Sequence, residues 1–175
     1  MAQNKTITYE VSVSSTGTKQ WFLNGNRHRE DGPAIEWADG STEWFLNGEL
    51  HREGGLPALE CNDGTKSWYV NGKRHREDGH AVEWGSGTKE WWLNGKLHRE
   101  GGLPAIEWYD GDKEWYLNGL LHREDGPAIE RVSGIKHWYL NGQSVLEEDF
   151  KKMNKPSCEG KIVEIEGKKY KLTAV

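Results

Sequence analysis

Apolar and polar positions alternate along most of this chain in short runs, and each run is cut by a glycine-bearing pair. "TEWFLNGELHRE", residues 42–53, shows the unit: two runs flank Asn47-Gly48. Asn-Gly is the strongest two-residue hairpin signal, because both residues accept the positive φ of a type I′ turn. "AIEWADGSTEWFL" supplies a second hairpin around Asp39-Gly40, and Asp63-Gly64, Gly85-Ser86-Gly87, Asp110-Gly111 and Ser133-Gly134 continue the series. Alternation places Trp44 and Leu46 on one face, Glu43 and Phe45 on the other, and Ile35 together with Trp37. Glycine recurs too often for helix, and no apolar stripe of 3.6-residue period runs through these segments.

The pattern is also periodic. Trp21, Trp44, Trp68, Trp91, Trp115 and Trp138 are separated by 23, 24, 23, 24 and 23 residues, and each is followed by an aromatic, then Leu or Val, then Asn-Gly. His-Arg-Glu follows seven residues after the first five. Odd copies continue as "HREDGPA" or "HREDGHA"; even copies read "HREGGLPA", with Leu56 or Leu103 inserted. Two copies therefore make one 47-residue superunit. At two strands per copy, roughly twelve strands spaced by about 4.8 Å would form a sheet about 55–60 Å long.

The fold expected is all-β: an elongated antiparallel β-hairpin repeat array, as a single meandering sheet or solenoid, with a small C-terminal helix plus hairpin cap. Residues 1–20 read as a capping strand or half repeat, 21–142 as five repeats plus the start of a sixth, and 143–175 as the cap. In that cap Ser144 and Glu147 have capping-box spacing. Val145, Leu146, Phe150 and Met153 would form the helix's apolar face. Val163, Ile165, Tyr170 and Leu172 alternate around Glu166-Gly167 as a final hairpin. Such a cap would shield the open end of an array.

Composition narrows the function classes. Hydrophobic residues are 34% and charged residues 29%, which favours a thin, extended body over a deep core. Residues 1–142 carry 16 Lys+Arg against 22 Asp+Glu, and the remainder 7 against 6. Neither part has the basic excess of a phosphate-backbone binder, so direct nucleic-acid binding is not expected. Cys61 and Cys158 have no CxxC spacing and read as free thiols of a reducing cytoplasm. The N-terminus lacks an apolar core and no apolar run approaches a membrane span, so neither a signal peptide nor a membrane partner is expected.

The copies of "EWFLNGELHREGGLPALE" resemble the MORN-type repeat superfamily, in the variant form common in bacteria, bacteriophages and giant viruses. The shared features are the period, the aromatic–Asn-Gly turn and a second glycine-bearing turn, over about residues 18–142. The His-Arg-Glu and Pro-Ala elements depart from the ordinary pattern of that superfamily. The resemblance implies an elongated β-hairpin solenoid used for binding or scaffolding, and it assigns no catalytic residues. The ending "CEGKIVEIEGKKYKL" is similar in style to the endings of small proteins from large tailed phages.

His-Arg-Glu within three positions has the makings of acid/base or metal chemistry. Repetition argues against it. The triplets are His28-Arg29-Glu30, His51-Arg52-Glu53, His75-Arg76-Glu77, His98-Arg99-Glu100 and His122-Arg123-Glu124. Equivalent residues of successive two-strand repeats lie about 9–10 Å apart, whereas zinc–nitrogen bonds are about 2 Å. Neighbouring histidines cannot share a metal, and five copies do not make one active site. These residues read as a structural ladder, with Arg52 reaching Glu30 or Glu77 of a neighbouring copy and His satisfying a turn carbonyl. No catalytic residue, metal or cofactor is assigned. Gly-rich phosphate-loop and calcium-loop spacings are absent.

The fixed first aromatic reads as a packing slot. The varying second position, Phe22, Phe45, Tyr69, Trp92, Tyr116 and Tyr139, is either a looser packing layer or a candidate aromatic binding face. Arg131 and Cys61 replace the second Trp, His80 replaces Pro, and His137 replaces Glu or Ser; a specific site could hide in such departures. The expectation is a non-catalytic, cytoplasmic protein-binding repeat protein, a phage-encoded inhibitor of a bacterial host defence or regulatory protein. Self-association through a sheet edge stays open. The alternatives are a ligand-binding module or sponge for a nucleotide signal or glycan, where aromatics beside Arg stack bases and pair phosphates, and a hydrolase built on His80 or His137.

Overall fold

The computed structural model describes residues 8–153, 162–165 and 168–171. Among the described residues the fold is all-β apart from one short helix, Glu147–Met153. Thirteen strands follow one another along a single antiparallel path, from Glu10–Val13 to Gln143–Val145, with Asn26–Arg27 attached beside Lys19–Leu23. Each internal repeat gives this sheet two strands of two residues, such as Thr42–Glu43 and Leu59–Glu60. Between them the chain leaves the sheet to form a separate two-stranded ribbon around Asn-Gly, such as Phe45–Leu46 with Glu49–Leu50. The array is thus a meander with a hairpin projecting from every repeat, giving four short strands per copy where two long ones were expected.

The turn chemistry sets this geometry. All six Asn of the Asn-Gly pairs have φ of 48–53°, and each following Gly is also positive. That is the type I′ turn, whose twist matches the flanking strands. At the other hairpin end Gly40, Gly64, Gly87, Gly111 and Gly134 take positive φ. Asp39, Asp63 and Asp110 carboxylates accept the N–H two residues on. Backbone bonding through Thr65 holds the Asp63 carboxyl below its ordinary pKa.

Register is fixed by two side-chain rows. One runs Ile35, Glu43, Leu59, Ser67, Val82, Glu90, Ile106, Glu114, Ile129, each directly opposite the next. Ile35 and Val82 are wholly buried there. The row on the other face reads Lys19, Glu36, Thr42, Glu60, Lys66, Glu83, Lys89, Glu107, Lys113, Glu130, Lys136. With Thr42 the one interruption, opposite charges alternate across the whole sheet. Directly opposed unlike charges stabilise a pair by roughly 0.2–1 kcal/mol, while like charges destabilise it. Slipping the register by one residue would turn the Lys and Glu of the second row onto the face that buries Ile35 and Val82.

The core is thin and follows the repeats. Ala34, Ala58, Ala81, Ala105 and Ala128 are all fully buried. Their carbonyls accept the N–H of Trp21, Trp44, Trp68, Trp91 and Trp115. Ala34, Ile35 and Phe45 cluster together, with Leu50 packed against them.

The two ends differ from the sequence expectation in detail. At the N-terminal end, Glu10–Val13 pairs with Lys19–Leu23. Tyr9 stacks on His28 at 6.3 Å, and its hydroxyl accepts the Glu30 N–H. At the other end, Ser144 does not cap the helix. It pairs with Tyr139 inside a strand, and the Leu146 carbonyl takes the first helical hydrogen bond, from Phe150. The hydrogen-bond register of the last hairpin reaches beyond Gln143 and delays the helix start. Phe150 is buried as expected, but Leu146 and Met153 are exposed. Ile162–Ile165 pairs with Lys168–Lys171 as the final hairpin. Its turn residues Glu166-Gly167, along with Leu172 and Cys158, lie outside the described residues.

Candidate functional site

The His-Arg-Glu triplets sit at the corner where each Asn-Gly ribbon returns to the sheet. Each residue of the triplet has a separate task. The arginine folds back over the tryptophan of its own repeat: Arg29 over Trp21 at 4.2 Å, Arg52 over Trp44 at 3.9 Å, Arg76 over Trp68 at 4.3 Å, Arg99 over Trp91 at 3.6 Å and Arg123 over Trp115 at 3.9 Å. From that position the guanidinium donates to the carbonyl of residue 33, 57, 80, 104 or 127. In four of the five repeats it also pairs with the sheet glutamate of the same repeat: Arg29–Glu36 at 3.2 Å, Arg52–Glu60 at 2.7 Å, Arg99–Glu107 at 2.7 Å and Arg123–Glu130 at 2.8 Å. Arg52 therefore does not reach Glu30 or Glu77 of a neighbouring copy. The corner turns it inward, where stacking on Trp44 and two acceptors outweigh a solvent-exposed pair.

The histidine joins one repeat to the next. Nδ1 of His28, His51, His75, His98 and His122 accepts the backbone N–H of Asn47, Asn71, Asn94, Asn118 and Asn141, at 3.0–3.2 Å. The next glycine N–H donates to the carbonyl just before the histidine, as Gly48 does to Arg27. Each turn thus docks on the preceding corner through two backbone donors. The imidazole meets a turn N–H rather than a turn carbonyl, because an Asn-Gly turn points its amides at the preceding repeat. Nδ1 of His28 and His51 also lies 3.1 and 3.0 Å from Oδ1 of the same asparagines; where Nδ1 accepts the turn N–H, the neutral ring carries its proton on Nε2. His28 Nε2 and His98 Nε2 are buried without a hydrogen-bond partner. The nearest carboxylates, Glu30 and Glu100, stand 3.6 and 3.7 Å away.

The glutamates of the triplets remain at the surface. Side chains of Glu30, Glu77, Glu100 and Glu124 are 60%, 83%, 88% and 84% exposed. They stand along the rim of a series of open clefts, one between each pair of successive corners. The clefts measure about 560, 530, 300 and 520 Å³ in chain order. Their walls repeat: the tryptophan of the later repeat (Trp44, Trp68, Trp91 or Trp115) and the aliphatic two positions on (Leu46, Val70, Leu93 or Leu117). Leu56 reaches the first two clefts and Leu103 the last. Both inserted leucines are about half exposed, at 50% and 49%. Sequence reasoning passed over them as turn spacers; the signal was a large apolar residue inserted between glycine and proline in an otherwise polar corner.

The second-aromatic column is placed less uniformly, and Tyr69 and Tyr116 line the second and fourth clefts. Phe22, Tyr69, Trp92, Tyr116 and Tyr139 are half-buried and Phe45 is buried. Arg27 covers Phe45 and Arg74 covers Trp92. Arg74 also donates to the Tyr69 hydroxyl. Trp92 and Tyr116 donate to Glu90 and Glu114, two residues before each. Burial, then the Glu114 charge, pushes the Tyr116 phenol up to about 12. Phe45, Tyr69, Trp92 and Tyr116 are thus engaged by arginines or glutamates, while Tyr69 and Tyr116 also line clefts.

The departures from the repeat have local partners. His80 stands between Trp68 and Trp91, edge-on to both, and bonds Glu83. Arg131 takes the place held elsewhere by Trp37, Trp84 and Trp108. Trp37 and Trp84 donate to Glu43 and Glu90, and Arg131 pairs with Glu114 and Asp112. Burial, then Asp63, Glu43 and Asp39, pushes the Cys61 thiol up, away from a reactive thiolate. Among the described residues, no group of three His, Cys, Asp or Glu is placed to hold a metal ion. No described helix is long and apolar enough to cross a membrane. No family model matches the chain, and no curated protein matches it either.

Proposed function

We propose that this chain is a non-catalytic protein-binding repeat protein of the MORN-like kind, acting in the bacterial cytoplasm as a phage-encoded inhibitor of a host defence or regulatory protein. The observation that carries the binding reading is the repetition of one cleft, with the same Trp, aliphatic and Glu lining, between every pair of successive corners. A catalytic centre concentrates unlike groups at one point. A surface that offers the same contact at regular intervals suits an elongated partner, where many modest contacts add up. The apolar floor and acidic rim have the layout of an interface core and its surround.

The alternative, a sponge for a nucleotide signal or glycan, is less favoured by the chemistry. Its phosphate would need free guanidinium groups, and the corner arginines are engaged by Glu36, Glu60, Glu107 and Glu130. The deciding experiment is affinity capture from bacterial lysate with the tagged wild type beside a Leu56→Glu, Leu103→Glu double variant. Both leucines are exposed, so the variant keeps the fold. A protein recovered in stoichiometric amount by the wild type and lost by the variant supports the reading. Equal capture by both, or none, counts against it, and a thermal shift with nucleotides or sugars would then favour the sponge.

A further inference from the structure

We infer that the clefts take an extended basic segment in the polyproline II conformation, with Lys or Arg at every third residue. The inference rests on the protein-binding reading and names the partner's chemistry.

Pitch is the first argument. Each repeat adds two strands to the sheet, so successive clefts are about 9–10 Å apart. A polyproline II helix rises about 3.1 Å per residue with three residues per turn, so every third side chain returns to the same side after about 9.3 Å. The mismatch stays within a few tenths of an ångström per cleft. A β-strand also covers about 10 Å in three residues, but its third residue points to the opposite side. An α-helix returns to one face after seven residues and about 10.5 Å, and the excess accumulates along four clefts.

Lining is the second argument. Polyproline II ligands dock in aromatic-walled grooves and need no backbone pairing from their receptor. Each cleft here has one tryptophan and at least one aliphatic. Leu56 and Leu103 widen the apolar floor where the corner is longer.

Charge is the third. Glu30, Glu53, Glu77 and Glu100 punctuate the rim at the repeat pitch. The arginines behind them are engaged by carboxylates of their own repeats: Arg29, Arg52 and Arg99 by sheet glutamates and Arg76 by Asp78. His28 and His98 hold a buried Nε2 with no hydrogen-bond partner, and their rim carboxylates stand just beyond reach. Those carboxylates keep acceptor capacity for a cation arriving from solvent. An acidic series at cleft spacing calls for a cationic series at the same spacing.

The test uses the full chain and a fluorescent peptide of four Lys-Pro-Pro units, read by anisotropy at low salt, where exposed charges are least screened. The control is an isomer with the same four Lys and eight Pro, the lysines grouped at one end. The periodic peptide is expected to bind at least about tenfold more tightly than the isomer. Replacing Glu53, Glu77 and Glu100 by Gln is expected to weaken it by about twofold to threefold per removed charge. Equal affinity for both peptides would show charge attraction without register and overturn the inference. So would the absence of binding to either. A protein captured from lysate and lost on Leu56→Glu, Leu103→Glu, together with no preference for the periodic peptide, leaves the protein-binding reading standing and removes this occupant alone.

Discussion

The Asp-Gly corners and the Gly-Gly-Leu corners hold the same arginine on the same tryptophan by different means. In the first kind, aspartate clamps the guanidinium from outside: Arg29–Asp31 at 3.0 Å, Arg76–Asp78 at 2.8 Å and Arg123–Asp125 at 2.7 Å. The glycine that follows leaves room for it. In the second kind no aspartate is present. Two consecutive glycines at positive φ carry the chain around, and a leucine is set out to solvent. The carbonyl of the second glycine then accepts the indole N–H of the next repeat's tryptophan, Gly55 from Trp68 and Gly102 from Trp115, both at 2.8 Å. One corner secures itself; the other secures the repeat that follows. This explains why the period is 47 residues and why Trp68 and Trp115 are the most buried of the column, at 8% and 6% exposure.

The largest way to break this contrast is to remove a tryptophan that follows a long corner. Trp68→Ala should cost about 3–5 kcal/mol, since it leaves a cavity under Arg76. Trp68→Phe sharpens the point. It keeps most of the ring but strands the Gly55 carbonyl, and should cost about 1–3 kcal/mol in thermal or urea unfolding. Trp91→Phe, after an Asp-Gly corner, should cost less. Equal losses at both positions would dissolve the distinction between the corners.

Glycine tests come next. Gly55→Ala meets no atom, yet its φ of +70° should cost about 1–2 kcal/mol. Gly32→Ala has no such φ penalty. Its Cβ would lie 2.6 Å from the Arg29 guanidinium carbon, so the side chain must move off Trp21. The Arg29 Nε resonance should shift in NMR spectra, while the Gly55 variant leaves the corner arginine signals in place. A grafted corner is a milder change. Gly54→Asp with Leu56 deleted rewrites "HREGGLPA" as "HREDGPA". It should fold with a loss of about 1 kcal/mol, the net worth of one hydrogen bond from Trp68. It should also lose the Leu56 contribution to two clefts.

How much of this was legible in the sequence follows from how local each signal is. Asn47-Gly48 and Asp39-Gly40 announced their hairpins because turn φ values depend on two residues. Glu114 and Tyr116 share a face by simple alternation, and their hydrogen bond shows it. The partners of the triplets were harder. Arg52 and Glu60 are eight residues apart, and nothing in the spacing says that the corner folds one onto the other. His51 meets Asn71 across twenty residues, through the backbone N–H and the side-chain oxygen of a turn asparagine whose spacing from the histidine announces no contact. The Lys–Glu rows were visible in principle: Lys stands two residues before Trp68, Trp91, Trp115 and Trp138. Recognising them required the register between strands of different repeats. Ser144 was misread because a capping box and a strand end look alike until the last hairpin's pairing is known.

The smallest effect isolates the aspartate of the short corner. Arg76 beside Asp78, through its hydrogen bond first and its charge second, holds that carboxyl below the usual carboxylate range. A carboxyl depressed in the folded state adds stability that is fully present above its unfolded pKa and is lost as pH falls through the folded value. Asp78 is exposed, so solvent screens the contribution and the effect is small. Asp78→Asn should therefore flatten the acid limb of the stability–pH curve below about pH 4 and leave the curve near neutrality almost unchanged. The long corners have no residue in this role. Gly54→Asn or Gly101→Asn, each at a positive φ that Asn tolerates better than most residues, should leave the acid limb untouched. An Asp78→Asn curve that keeps the wild-type slope would mean that the clamp seen at 2.8 Å adds nothing to folding. The two corners would then differ only in what they offer the next repeat.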